Sequence, residues 1–197
     1  MNSKSIMIVG VGGQGTLLAG RIIGNAALRA GYDVKVSEVH GMSQRGGSVV
    51  TYVKYGKSIS SPIICRGEAD IILAFEQMEA LRWSSYLKKG GLLITSSQKI
   101  NPMPVITGAA SYNESIIEKL SAAGVRIETL DAAEIAQAVG NDKASNIAII
   151  GALAGHIEND GISRETLTDI ITANLPQKHL KANLEAFAMA SGYAVRN

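Results

Sequence analysis

Ile6-Met7-Ile8-Val9-Gly10-Val11-Gly12-Gly13-Gln14-Gly15-Thr16 decides how the rest of the chain is read. An apolar run of strand type enters a turn with glycines at positions 10, 12, 13 and 15. It then continues as Leu17-Leu18-Ala19-Gly20-Arg21-Ile22-Ile23, whose apolar spacing is helical. The residues therefore spell a strand, a glycine turn and a helix. Glycine supports positive φ and lets the backbone approach a ligand or a packed neighbour, while the free N–H groups at a helix start favour an anion. Gly10, Gly12 and Gly15 form the G-x-G-x-x-G of a dinucleotide fold. That pattern has two readings. The glycines serve only the tight turn and helix–sheet packing, or Gly10, Gly12, Gly13, Gln14 and Gly15 bind a cofactor. For NAD, an acidic residue is expected about 20 residues further on, at the end of the second strand, and Glu38 stands there.

The 197 residues, 46% hydrophobic and 18% charged, suffice for one well-filled α/β core, so a single domain over 1–197 is expected. Nineteen Lys and Arg against seventeen Asp and Glu leave a charge of +2, too balanced to point to nucleic acid or an anionic membrane. Cys65 is the single cysteine, which excludes an internal disulfide framework and cannot ligate an iron–sulfur cluster. No basic leader precedes a long apolar run, and no apolar stretch reaches the roughly 18 residues of a membrane span. The cytoplasm is the expected location. With 5% aromatic residues, the core must come from Ile, Val, Leu and Ala, as in a sheet covered on both faces by helices.

The first helix is expected to end near Ala30-Gly31, with strands over 33–38 and 49–55. Gly56-Lys57 reads as a turn, and 59–64, interrupted by Pro62, reads as the return strand of an inserted hairpin. A buried strand over 70–76, a helix over 77–89 closed by Gly90-Gly91, and a strand over 92–95 follow. Pro104 to Thr107 suggests a short strand. Asn113 is the expected cap of a helix over 114–123, Asp131 and Glu134 have capping-box spacing, and Ser163 caps 164–172. The remainder is helical, with 144–157 apolar nearly all round. The fold class is α/β: a Rossmann-like, mostly parallel sheet with helices on both faces, an inserted β-hairpin and a helical C-terminal part.

A second candidate site is Ser43-Gln44-Arg45-Gly46-Gly47-Ser48, in a segment too long for a tight turn. Arg45 offers a planar fork for a carboxylate or phosphate, with hydroxyl and backbone donors beside it. The segment is either a solvated loop or one ordered against another subunit. His40, His156 and His179 lack metal-ligand spacing, so no metal is assigned. Cys65 reads as a small apolar filler. No G-x-S-x-G and no P-loop lysine occurs, and no catalytic residue is assigned.

Gly10-Val11-Gly12-Gly13-Gln14-Gly15, followed by Ser37-Glu38-Val39-His40-Gly41-Met42-Ser43-Gln44-Arg45-Gly46-Gly47, resembles the gamma-type subunits of 2-oxoacid:ferredoxin oxidoreductases. The likeness is greatest to the small subunits of the indolepyruvate-oxidising branch. It extends through 67–76, Asn146 with Gly151-Ala152-Leu153, and the closing Asn183-Leu184-Glu185-Ala186-Phe187. The resemblance implies a complex that uses thiamine diphosphate, iron–sulfur clusters and coenzyme A, all outside this chain, and that reduces ferredoxin. It also implies that thiamine and clusters belong to a larger partner subunit. The glycine turn and Ser43, Gln44, Arg45 and Gly46 would then face that partner or a phosphate-bearing cofactor. The alternatives from other classes are a stand-alone NAD(P)-dependent dehydrogenase that uses Glu38, or a nucleotide- or coenzyme A-binding module.

Overall fold

Lys4–Val11 forms β1, the hub of the sheet, in a computed structural model that describes residues 3–40 and 46–193. The chain continues with α1 (Thr16–Arg29), β2 (Asp33–His40), β3 (Ser48–Gly56) and β4 (Ala69–Ala74). Next come α2 (Gln77–Trp83), β5 (Leu87–Ser96), the short α3 (Met103–Ile106), α4 (Ile116–Ala122) and β6 (Arg126–Leu130). The C-terminal part is helical: α5 (Ala132–Ala138), α6 (Ser145–Ile157), α7 (Arg164–Asn174) and α8 (Gln177–Tyr193). The strand order is β2-β3-β1-β4-β5-β6. β1, β4, β5 and β6 pair in parallel, and β3 lies antiparallel to both β1 and β2, so β3 alone runs against the rest.

Alternation along β1 divides the core. Ile6 and Ile8 face a cluster built with α1 and the C-terminal helices, while Met7 and Val9 face α2 and α4. All four are fully buried. Helix α6 is apolar on every side because it lies between the sheet and α8, and 147–154 are buried throughout. Helix α1 packs closely on β3: a Cβ on Gly20 would stand 2.6 Å from Thr51 Cγ2. From β1 the chain passes to one side of the sheet and, after β3, to β4 on the other. The C-terminal ends of β1 and β4 therefore form a topological switch point, where open α/β sheets bind ligands.

Local signals held where expected. Gly31 has φ +87°, the Asp131 carboxylate accepts the Glu134 N–H at 2.8 Å, and Ser163 Oγ accepts the Thr166 N–H at 3.2 Å. Four details differ. The antiparallel partners of β3 are β2 and β1, and 59–64 forms no strand: both sides of β3 are taken, and Pro62 offers no N–H to a ladder. The helix after β4 ends at Trp83, and Gly90-Gly91 lies inside β5. There Gly90 has φ +76° and the register with β4 shifts between Ala69 and Ile71, so these glycines mark a strand irregularity, not a helix end. The segment after Pro102 is a helical turn, with proline in its first turn, where the missing N–H has no intrahelical partner to lose. The α4 cap is Ser115; the Asn113 side chain instead accepts the Ser115 N–H at 3.3 Å.

Candidate functional site

The glycine turn leaves the end of β1 and delivers the chain to α1. Gly13 has φ +105° and Gly15 φ +84°, left-handed values that an L side chain adopts only with strain. Gly15 is the N-cap of α1, and among the described residues no side chain caps that helix start. Gln14 ties the turn across the switch point. Its Oε1 accepts the Val11 N–H at 2.7 Å, and its Nε2 donates to Phe75 O and to Gln98 Oε1, both at 3.0 Å. One amide thus joins the ends of β1 and β4 to the segment leaving β5. A Cβ on Gly10 would stand 2.8 Å from Gln14 Oε1, which is why this strand end lacks a side chain.

The second candidate segment comes alongside. The β2–β3 ladder is closed as far as His40↔Val49, so 41–47 connects two neighbouring antiparallel strands. The Gly12 N–H donates to Gly47 O at 2.8 Å, which sets Gly47, just before β3, beside the glycine turn. Ser43, Gln44 and Arg45 lie outside the described residues; Gly46 is exposed. A cleft of about 420 Å³ opens over the turn between Gly12, Gly13, Gly15, Thr16, Glu38 and Val49. Glu38 therefore does share a cleft with the glycines, and its carboxylate accepts the Thr51 hydroxyl at 3.3 Å.

A second groove, of about 370 Å³, runs between Gly46-Gly47-Ser48 and the start of α2, with Met103 and Ile106 on its lip. Both lip residues are mostly exposed. Two buried carboxylates that sequence reasoning did not single out line this groove. Glu76, 1% exposed, caps α2 by accepting the Glu79 N–H at 2.9 Å, and also accepts the Ile100 N–H at 3.1 Å and the Tyr112 hydroxyl. Burial, and next the bond to Glu76, push the Tyr112 hydroxyl well above the usual phenol range. Glu79, 4% exposed, accepts from the Ser48 hydroxyl, from Trp83 Nε1 at 3.2 Å and from Arg82 Nε at 3.1 Å. The only hint in the sequence was a charged residue closing the apolar run Ile71 to Phe75.

Residues 5–193 match the pyruvate ferredoxin/flavodoxin oxidoreductase family. The chain belongs to this family. It is 42% identical over 194 residues to the indolepyruvate oxidoreductase subunit IorB of Thermococcus kodakarensis, covering 96% of this chain and 95% of the relative. Its counterpart in Archaeoglobus fulgidus is 39% identical over 194 residues, covering 97% and 95%. Among solved structures, the gamma subunit of a keto/oxoacid ferredoxin oxidoreductase from Geobacter sulfurreducens superposes with a TM-score of 0.72 at 23% identity, covering 98% of this chain and 99% of that one. At that identity the likeness speaks for the fold alone.

Within this oxidoreductase fold, Asn146 at the start of α6 presses on the turn: a Cβ on Gly15 would stand 2.5 Å from its Nδ2. The third glycine of the fingerprint therefore makes room for α6. The remaining candidates lie elsewhere. His156 pairs with Glu128 at 2.8 Å, and His179 lies in the first turn of α8. Cys65 is exposed and not the apolar filler expected; the loop around it is held by Glu68, whose carboxylate accepts the Cys65 N–H at 2.9 Å. Among the described residues no group of three His, Cys, Asp or Glu can hold a metal, and no helix is long and apolar enough to cross a membrane. The described rim supplies backbone N–H groups, hydroxyls and fixed carboxylates, the equipment of binding and positioning.

Proposed function

We propose that this chain is the small, gamma-type subunit of a 2-oxoacid:ferredoxin oxidoreductase acting on an aryl pyruvate, with indolepyruvate as the first substrate to try. The observation that carries the reading is the identity, about two residues in five over nearly the full length, to subunits named for indolepyruvate. The complex would convert a 2-oxoacid and coenzyme A to acyl-coenzyme A and carbon dioxide, passing two electrons to ferredoxin. One cysteine, exposed, does not fit an iron–sulfur cluster in this chain. Clusters and thiamine diphosphate are therefore assigned to a larger partner subunit, in the cytoplasm, and the whole of 1–197 acts as one gamma-type domain.

Gly10, Gly12, Gly13, Gln14 and Gly15, with Ser43, Gln44, Arg45 and Gly46, form the face turned to that partner and to the path of coenzyme A. Support comes from the bond between Gly12 and Gly47, which brings the residue before β3 to the glycine turn, and from the start of α1, which suits a phosphate. The Glu38 carboxylate on the same cleft suits a hydroxyl and repels a second anion. The two atoms of Gln14 are already bonded within the chain, so its part is to hold the turn. Co-expression with the large thiamine-dependent subunit tests the reading. The expected result is a stable complex whose ferredoxin reduction needs this chain and prefers indolepyruvate to pyruvate. A chain that neither associates nor affects ferredoxin reduction refutes it.

A further inference from the structure

We infer that Glu79 is a positioning residue: acting through Ser48, it holds Gly47 against the glycine turn. Its functional weight rests on the proposed role of the 41–47 segment in the complex. The linkage is a chain of bonds. Glu79 on α2 accepts the hydroxyl of Ser48, the first residue of β3. Ser48 follows Gly47, whose carbonyl accepts the Gly12 N–H at 2.8 Å. Helix α2, the return of the segment and the glycine turn are thereby fixed to one another.

The chemistry of the cluster points beyond packing. An apolar side chain at 79 could line the groove with Met78 and Ile106 as well as a carboxylate does, and burying a carboxylate costs several kcal/mol before its partners offset it. What only an acceptor supplies is a partner for two donors at once, the Ser48 hydroxyl and Trp83 Nε1, with Arg82 closing the second oxygen. Arg82 is half exposed, so it balances the charge without enclosing the site. Trp83 also reaches Ser48 Oγ at 3.2 Å, so the hydroxyl is oriented from two sides. A network that fixes direction is wanted where Gly12, on the rim of the cleft over the turn, must be held in one place.

The test compares Ser48→Ala, which removes the hydroxyl and its bonds to Glu79 and Trp83, with Glu79→Gln, which removes the charge, and uses Arg45→Ala to probe the segment itself. In the full-length chain, both linkage variants should speed amide hydrogen exchange at Gly12 about tenfold, while amides of β4 and β5 keep their protection. In the assembled complex, both should raise the KM for coenzyme A severalfold with little change in kcat. Unchanged exchange at Gly12 in Ser48→Ala overturns the linkage. Faster exchange with an unchanged KM, in a complex where Arg45→Ala does raise it, overturns the positioning role and leaves the proposed function standing. If Arg45→Ala is silent but Ser48→Ala raises KM, positioning stands and the assignment of Arg45 falls. If neither raises KM, both fall.

Discussion

Replacing Gly15 by alanine should destabilise the chain for two separable reasons. The first is backbone strain: Gly15 sits at φ 84° and ψ 28°, and a left-handed L residue costs about 1 to 2 kcal/mol. The second is contact. The new Cβ would stand 2.5 Å from Asn146 Nδ2, so that side chain must turn aside, at about 1 kcal/mol for leaving its rotamer. The total is about 2 to 3 kcal/mol. Asn146→Ala should cost little alone, because Asn146 Oδ1 is buried with no hydrogen-bond partner among the described residues. In that background Gly15→Ala should cost only the strain, leaving a coupling of about 1 kcal/mol. Gly13→Ala is the control. At φ +105° it is strained, but among the described residues no heavy atom beyond its chain neighbours lies within 4 Å of its Cβ, so its cost should not respond to Asn146→Ala. Urea unfolding of the four-variant cycle and the control, compared at constant m, reads these differences; thermal midpoints should move by about 2 to 4 °C per kcal/mol. An equal cost for Gly15→Ala in both backgrounds would refute the packing role assigned to this glycine.

Gln14→Glu keeps the acceptor for the Val11 N–H but sets a carboxylate oxygen against Phe75 O and Gln98 Oε1. It should destabilise by about 2 kcal/mol, with faster exchange at the β1–β4 end; a thermal midpoint equal to that of the parent sinks this account. Tyr55 is fully buried, and its hydroxyl donates to Asp160 at 2.6 Å; burial, and next that bond, hold its proton far above the usual phenol range. Because the folded value is raised, its contribution is whole below about pH 10 and is lost as pH rises further, at about 1.4 kcal/mol per pH unit for one proton. Tyr55→Phe should flatten the alkaline limb of stability against pH, measured by thermal unfolding from neutral to strongly basic conditions. An unchanged slope would assign the alkaline loss to other groups.

The fold was legible at several places where the signal lies within a few residues. The glycine turn, the cap residues Asp131 and Ser163, the positive φ of Gly31 and the apolar run of α6 are local chemistry, and each stands where its residues put it. Of the candidate site, the glycine turn Gly10 to Gly15 was legible in the sequence, though not its bond to Gly47 or its contact with Asn146. Pairs of glycines have the same local meaning at a helix end and at a strand irregularity. What made Gly90-Gly91 the second was pairing with β4, a strand that begins 21 residues earlier. Likewise 59–64 has the composition of a strand, yet β3 had already spent both edges on β1 and β2.

By itself the sequence determined the class of fold, the strand–turn–helix at its hub, the family, and, through its single cysteine, that these 197 residues do not supply the thiolates of an iron–sulfur cluster. The tertiary structure decided what the residues of the turn are for. Gly15 clears Asn146 of α6, Gln14 spans three strand ends, Gly12 grips Gly47, and Glu79 lies buried among Ser48, Arg82 and Trp83. Such contacts join residues tens of positions apart and depend on strand order and crossover. No periodicity or spacing records that order, because a side chain's neighbours exist only once the sheet has closed.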